Sequence, residues 1–169
     1  MKPLLLKLLS FFTILIIGCT CADSDEFDDN AMYPVDSPEN LTEFFKKYLP
    51  ERLSSASEAS FRFSGETECL IIDNIDEFER ITDGMVEQPQ IDFSKYSLII
   101  WQARMSDSGY DYKGQSLSIN PETGHIVLNV EYERTGWLNA AMIQYFYNWG
   151  VYDKLPENMS ISLKINITQ

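Results

Sequence analysis

The sequence predicts an α+β fold, a single domain in which a mostly antiparallel β-sheet meander carries one or two helices packed on one face. In one early segment, apolar residues recur at spacings of three and four, which indicates an amphipathic helix. From Phe93 onwards, apolar and polar residues alternate along several segments, which indicates half-buried strands. An order of helix, strand, helix and then several strands is typical of this fold class.

Two segments have the pattern of helices. Residues 38–53 form the first, and a shorter helix is predicted to open at Asn74 and to continue through residue 81, with Ile75 and Phe78 facing the core. The apolar stripe of the first helix consists of Leu41, Phe44, Phe45, Tyr48 and Leu49. Each helix therefore presents one apolar face, and we expect that face to pack on the sheet.

The strands are predicted from alternation and from short apolar runs bounded by turn residues. Residues 96–102 are almost continuously apolar, which favours a central strand. Residues 115–133 alternate on both sides of the turn sequence Pro-Glu-Thr-Gly, which predicts a hairpin. The remaining predicted strands are a short one at Phe61 and Phe63, one at residues 69–72, an aromatic one at residues 142–152 and a regularly alternating one at residues 161–167.

Residues 1–18 have the pattern of an export signal. Lys2 and Lys7 accompany an apolar run from Leu8 to Ile17, and at roughly ten residues this run is shorter than the ~20 residues that a membrane-spanning helix needs. The run ends in Leu-Ile-Ile-Gly followed by Cys19, which resembles the lipobox of bacterial lipoproteins. The resemblance implies that the signal is cut before Cys19 and that its thiol carries a lipid anchor, palmitate included.

Residues 19–37 are predicted to be an acidic tether between that anchor and the domain at residues 38–169. The segment contains many carboxylates and no lysine or arginine, so it has little apolar surface to bury and repels itself. The acids directly after Cys19 also resemble the surface-export signal of lipoproteins from Bacteroidota. This resemblance implies an outer-membrane location, with the cell surface as an open alternative.

The chain is strongly acidic, with a net charge of −13 at pH 7. Such a charge disfavours nucleic acid and anionic lipid headgroups as partners, because both are negative themselves. Contact with a membrane is therefore predicted to run through the N-terminal lipid. Of the two other cysteines, Cys21 and Cys69, the sequence leaves two interpretations open: they pair, or Cys69 is a small buried hydrophobic residue.

No motif of the sequence predicts catalysis, a metal or a cofactor. His125 is the only histidine, it follows the turn glycine of the hairpin, and a metal site built on several histidines is excluded. The chain also lacks a Cys-x-x-Cys pair, a Gly-rich phosphate loop and a nucleophile elbow. We therefore expect a protein that is not an enzyme, although a hydrolase that uses two carboxylates stays open, since that chemistry needs no histidine.

Three aromatic residues are predicted to lie in loops and to form a ligand-binding surface. Tyr110, Tyr112 and Trp137 each lie within two residues of a glycine, so the backbone there can present a ring without strain. Loop aromatics on a rigid sheet commonly bind a sugar ring or a partner peptide. The alternative is that the loop tyrosines cover strand edges and that Trp101 and Trp149 belong to the core.

Residues 70–133 resemble the C-terminal domain of the protease-complex accessory protein PrcB, which occurs in many small Bacteroidota lipoproteins. The resemblance rests on NIDEFERI as a short helix, IDFSKYSLIIWQ as the strand after it, and SGYDYKGQSLSINPETGHIVLNVEYE as a Gly-Tyr lead into a hairpin. It implies a binding or accessory role without catalytic residues. The sequence thus predicts a lipid-anchored envelope protein that binds another protein, with a glycan-binding lipoprotein as the alternative.

Overall fold

The computed structural model describes residues 39–106, 108–120, 122–135 and 142–169. Within these residues the chain forms two α-helices and seven strands. The helices are α1 (Glu39–Tyr48) and α2 (Ile75–Thr82). The strands are β1 (Arg52–Leu53), β2 (Glu68–Ile72), β3 (Tyr96–Met105), β4 (Tyr110–Asn120), β5 (His125–Arg134), β6 (Gln144–Asp153) and β7 (Ser160–Thr168).

The strands form two sheets, in the orders β1-β6-β3-β2 and β4-β5-β7. Every pair is antiparallel except β5 with β7, which is parallel. The prediction of a mostly antiparallel, single-domain α+β fold is confirmed, whereas the strand order is not that of a meander. In a meander β6 would pair with β5, the strand before it, but it pairs with β3 in the other sheet. The apolar residues of β6 point to both of its faces, so this strand belongs in a sheet that is covered on both sides.

The two sheets and the helices form three layers around β3. Leu98 and Ile100 of β3 face the helices, while Ile99 and Trp101 face the β4-β5-β7 sheet, and all four are fully buried. The prediction that this segment is a central strand is confirmed. One core therefore lies between the two sheets, and a second lies between the first sheet and the helices.

The first helix is shorter than the sequence pattern predicted. Leu41, Phe45 and Leu49 lie in the core beneath the helices, as expected from the apolar stripe. However, α1 ends at Tyr48, and the extension of this helix to residue 53 is wrong. Pro50 disfavours a helical conformation at the residue before it, and the chain then enters the short strand β1.

The second helix begins where the sequence predicts. The side chain of Asn74 accepts a hydrogen bond from the Glu77 N–H at 2.8 Å, and the Glu77 carboxylate accepts one from the Asp73 N–H at 2.9 Å. These reciprocal bonds satisfy backbone donors that have no partner inside the helix. Phe78 and Ile81 are buried against the sheet, which confirms the predicted inward face.

The segment that contains Phe61 and Phe63 is irregular, so the strand predicted there is wrong. The Arg62 N–H donates to the Ile81 carbonyl at 2.7 Å, at the end of α2, and not to a neighbouring strand. Phe61 is buried among the residues of the helix-side core. The alternation of these aromatics with polar residues arises because the segment packs against α2.

Strand β7 is an edge strand, and its predicted inward face is confirmed. Ile161, Leu163 and Ile165 pack against the core between the sheets, each partly buried, whereas Ile167 is 46% exposed. Because β7 has a neighbour on one side only, its inward residues stay half-buried. None of the described helices is long and apolar enough to cross a membrane.

Cys69 lies in β2 and is buried in the core between the sheets. Burial raises the pKa of its thiol to about 12, since an apolar environment disfavours the thiolate. The interpretation as a small buried hydrophobic residue is confirmed. Cys21, its proposed disulfide partner, lies outside the described residues.

Candidate functional site

Two of the three predicted site residues lie in a strand, so their assignment to loops is wrong. Tyr110 is the first residue of β4 and is only 5% exposed. Its ring makes edge-to-face contacts with Tyr132 at 6.4 Å and with Phe146 at 6.3 Å. Tyr110 is therefore a core residue that cannot offer its ring to a ligand. Trp137 and the predicted lipidation site, Cys19, lie outside the described residues.

Tyr112 is half-buried and lines a surface groove. Its ring centroid lies 5.9 Å from that of Tyr132 and 6.5 Å from that of Trp101, so one side of the ring belongs to the core. Burial raises the pKa of its hydroxyl to about 12. The ring is thus held by the sheets while part of it stays accessible from the groove.

The groove has a volume of about 760 Å³ and is lined by four parts of the chain. These parts are one side of α1, the segment from Leu49 to the start of β1, the start of β4 and the middle of β6. The lining residues are Thr42, Lys46, Leu49, Pro50, Glu51, Arg52, Asp111, Tyr112, Lys113, Tyr147, Asn148 and Trp149. The groove therefore lies where the helical layer meets the edges of both sheets.

Trp149 forms the wall on the helix side. Its ring stacks on Phe45 of α1, with centroids 4.2 Å apart and an interplanar angle of 23°. Phe45 is itself fully buried, so α1 holds the indole in one orientation. Trp149, interpreted from the sequence as a core residue, is partly buried and has a second role at this surface.

A β-bulge shapes the opposite wall. The pairing of β4 with β5 shifts between Tyr112 and Gly114, which leaves Lys113 as the extra residue. Gly114 has a φ of 158°, a conformation that side-chain-bearing residues rarely adopt. Bulges of this kind bend a strand and redirect its side chains. Here the bulge lies directly beside the accessible part of the Tyr112 ring.

Arg52 lies at the floor of the groove and is held by backbone groups. Its Nη2 donates to the Tyr110 carbonyl at 2.8 Å and its Nη1 to the Ser108 carbonyl at 3.3 Å. The guanidinium also lies over the Phe146 ring, 4.9 Å from the centroid. Arg52 thus fastens β1, at the edge of one sheet, to the beginning of β4 in the other.

The groove also carries two carboxylates beside this guanidinium. Glu51 approaches the Arg52 Nη2 at 3.7 Å and Asp111 at 3.8 Å, and both side chains are more than half exposed. These distances exceed that of a hydrogen bond, because Arg52 donates to carbonyl oxygens instead. Both carboxylates therefore keep capacity to accept hydrogen bonds from another molecule.

The two lysines of the groove have acidic partners outside it. Lys113 contacts Glu133 at 2.5 Å, and this hydrogen bond raises the pKa of the lysine. Lys46 contacts Glu43 one helical turn earlier at 3.6 Å. Such exposed pairs contribute little to stability, but they offset the charge of each lysine.

Gln115 is hydrogen-bonded to the backbone of Trp149, a residue that lines the groove. Its side-chain oxygen accepts a hydrogen bond from the Trp101 indole N–H at 2.7 Å, and its Nε2 donates to the Tyr152 hydroxyl at 2.9 Å and to the Trp149 carbonyl at 3.2 Å. This amide passes over Gly150, where a side chain would meet it. The two sheets are thereby joined through a polar bridge next to Trp149.

His125 lies at the other end of the β4–β5 hairpin and is not part of the groove. Its Nδ1 is 2.8 Å from the Ser160 hydroxyl and its Nε2 is 3.0 Å from the Ser162 hydroxyl, on the outer face of the sheet. Its position after the turn glycine predicts an exposed turn residue, and this is wrong, because the histidine is half-buried in β5. The described part of the chain contains no group of three or more histidine, cysteine or acidic side chains that could hold a metal ion.

A second polar cluster surrounds the buried Ser97, and its Asp73 and Lys154 side chains are 29% and 34% exposed. The Ser97 hydroxyl donates to the Asp73 carboxylate and accepts from the Leu155 N–H at 2.9 Å, while Lys154 pairs with Asp73 at 3.1 Å. Ser97 is 0% exposed, so no substrate can reach its hydroxyl. The cluster joins the ends of β2, β3 and β6.

Among the residues that the structure describes, the groove has the features of a surface that can hold a ligand. It combines two aromatic walls with carboxylates and lysines, and its shape is set by packed elements and not by loops alone. Sequence reasoning identified Tyr112 but missed Arg52, Asp111 and Lys113. Pro50 was the available signal, because a helix that ends before this proline leaves Arg52 and Leu53 free to pair with β6 as β1. Comparison of the chain with protein-family models, with curated proteins and with solved structures finds no match.

Proposed function

We propose that this chain is a lipid-anchored protein of the bacterial cell envelope with a non-catalytic binding role, and that its groove holds part of a partner protein. The observation that carries the proposal is the pair of supported aromatic walls, Tyr112 and Trp149, on either side of a charged floor. Aromatic residues anchor many protein interfaces because they supply a large contact area at little entropic cost. The resemblance to the PrcB-type domain supports an accessory role.

The lipid anchor is proposed from the sequence at Cys19. The apolar run that ends in Gly-Cys and the acidic segment behind it support attachment to the outer membrane of a bacterium of Bacteroidota type. We expect metabolic labelling with a tagged fatty acid to mark the wild-type protein and to leave Cys19→Ser unmarked. Cys21→Ser is the matched control and should be labelled like the wild type. Equal labelling of Cys19→Ser would refute the anchor.

The groove can be tested by placing a photo-crosslinking residue at Thr42 in living cells. Thr42 is exposed and lines the groove, so a new side chain there removes no core contact. We expect a discrete protein adduct from this position. Lys164, exposed on the outer face of β7, is the control position and should give none. An identical adduct pattern at both positions would place the binding surface elsewhere.

A blocking substitution gives the complementary measurement. Thr42→Trp, in a protein without the crosslinking residue, should fill the groove. Pull-down of the partner that crosslinking identifies should then fall at least about tenfold, the effect expected from disturbing a central contact. Lys47→Trp places the same side chain on another exposed position of α1, which does not line the groove and whose ion pair, with Glu87, involves no groove residue. It should leave capture unchanged. An adduct that glycosidase removes and protease does not would instead support the glycan-binding alternative.

A further inference from the structure

Strand β6 has an edge that its neighbours cover only in part. On one side it pairs with β3 along its whole length, from Gln144 to Asp153. On the other side, β1 pairs only with Tyr145 and Phe146. From Tyr147 onwards, no strand of the described chain lies on this side of β6. The groove lies along this uncovered stretch, since three of its lining residues are Tyr147, Asn148 and Trp149.

The backbone groups of the uncovered edge form hydrogen bonds with a loop carbonyl and with side chains, and not with a neighbouring strand. The Tyr147 N–H donates to the carbonyl of Glu51, the residue after Pro50, at 2.9 Å. The Trp149 N–H donates to the side chain of Asn148 at 2.8 Å, and the Trp149 carbonyl accepts the long bond from Gln115. Natural proteins protect open sheet edges in such ways. A local side-chain bond of this kind can be exchanged for a backbone bond.

The charges of the groove indicate which strand would fit. The carboxylates of Glu51 and Asp111 can still accept hydrogen bonds, because Arg52 donates to backbone carbonyls and not to them. The lysines of the groove already have acidic partners. Tyr112 and Trp149, which both line the groove, are also aromatic rings of the kind that can hold a cation. Around the groove, the whole chain carries a net charge of −13, which attracts basic segments from a distance.

We propose that the groove binds a basic, extended segment of the partner protein, which adds as a strand to the open edge of β6 at Trp149. This inference rests on the proposed function and specifies its ligand. Backbone hydrogen bonds to Trp149 would supply affinity, as in other cases of strand addition. Glu51 and Asp111 would select lysine or arginine side chains of the segment.

Fluorescence anisotropy with short synthetic peptides tests this mode of binding. The probe is a labelled octapeptide that alternates valine and lysine, and its counterpart alternates valine and glutamate. We expect the basic peptide to bind at least about tenfold more tightly at low salt, as charge complementarity requires. In an extended strand, alternate N–H groups point to opposite edges. Two isomers of the basic peptide are compared, one N-methylated at every valine and the other at every lysine. Only the isomer whose methyl groups lie on the edge that pairs with β6 should lose binding.

Asn148→Ala provides a test with a defined sign. Loss of the Asn148 side chain frees the Trp149 N–H, so the basic peptide should bind about three- to tenfold more tightly, the change that one hydrogen bond brings. Asn166→Ala makes the same chemical change on β7 and should have no effect. A merely electrostatic contact with the groove would not respond to Asn148→Ala.

The outcomes separate this inference from the proposed function. Two methylated isomers that bind equally well would overturn strand addition, and so would a failure of the basic peptide to bind. In either case the adduct from Thr42 would still stand as support for a partner in the groove. If the peptide binds but the Thr42 adduct is absent, the proposed partner protein is overturned, whereas the ability of the β6 edge to add a strand stays supported.

Discussion

Gly150→Ala is expected to destabilise the protein by about 2–4 kcal/mol, through overpacking and the loss of buried hydrogen bonds. A Cβ atom at Gly150 would lie 2.7 Å from Nε2 of Gln115 and 2.8 Å from two atoms of Tyr152. Tyr152 is fully buried and cannot move aside. Gln115 would have to move, which breaks its bond with the indole N–H of Trp101.

Urea denaturation of the purified variants measures this effect. Gly65→Ala is the control, because the nearest atom to a Cβ there is 3.7 Å away and the expected change is within about 0.5 kcal/mol. Gln115→Ala should cost less in the Gly150→Ala background than in the wild type, since the bridge is already broken there. Equal midpoints for Gly150→Ala and Gly65→Ala would contradict the close approach of Gln115 to β6.

Phe45→Ala should cost about 3–5 kcal/mol, the usual price of deleting a buried phenylalanine ring. Phe45 is fully buried where α1 meets the sheet, stacked on Trp149 and packed against Phe61. Its loss leaves a cavity between two layers that cannot collapse freely. The same change removes the support that orients the indole in the groove, so we expect stability and partner capture to fall together.

Two further variants separate these effects. Phe45→Leu keeps much of the buried volume and should cost less than Phe45→Ala, yet it abolishes the ring stacking on Trp149. If the stack orients the groove, Phe45→Leu should fold normally and still capture less partner. Thr42→Ala changes an exposed residue of the same helix and should alter the unfolding free energy by under ~0.5 kcal/mol. Similar midpoints for Phe45→Ala and Thr42→Ala would show that Phe45 is not at the core of this interface.

Elements with a strong local pattern could be predicted from the sequence. The apolar run of β3, the alternation of the hairpin and the capping residue Asn74 each specify a conformation through neighbours in the chain. The layer to which a strand belongs is not specified in that way. The alternation of β7 is the one expected of an antiparallel neighbour, yet β7 lies parallel to β5. The direction of a strand depends on which sheet edge is available in the folded chain, and its local sequence does not contain that information.

The site could be predicted only in part for the same reason. Tyr110 and Tyr112 look alike in sequence, since each is near a glycine and they lie two residues apart on one face of β4, where both contact Tyr132. One ring enters the core and the other borders the groove. Arg52 and Asp111 are far apart along the chain and meet only because β1 and β4 lie at adjacent sheet edges. No local pattern announces such a meeting.

The pairing of β3 with β6 has a consequence for the order in which the chain folds. The β4–β5 hairpin closes through a short turn. The pairing of β3 with β6 joins residues much farther apart along the chain, such as Met105 with Gln144 and Tyr96 with Asp153. Closing the longer loops costs more chain entropy, so the hairpin is expected to form first and β6 to dock late. Until it docks, β3, apolar on both faces, has one unpaired edge. A partly folded chain in which β6 has not docked is therefore expected to be more prone to aggregate than the finished domain.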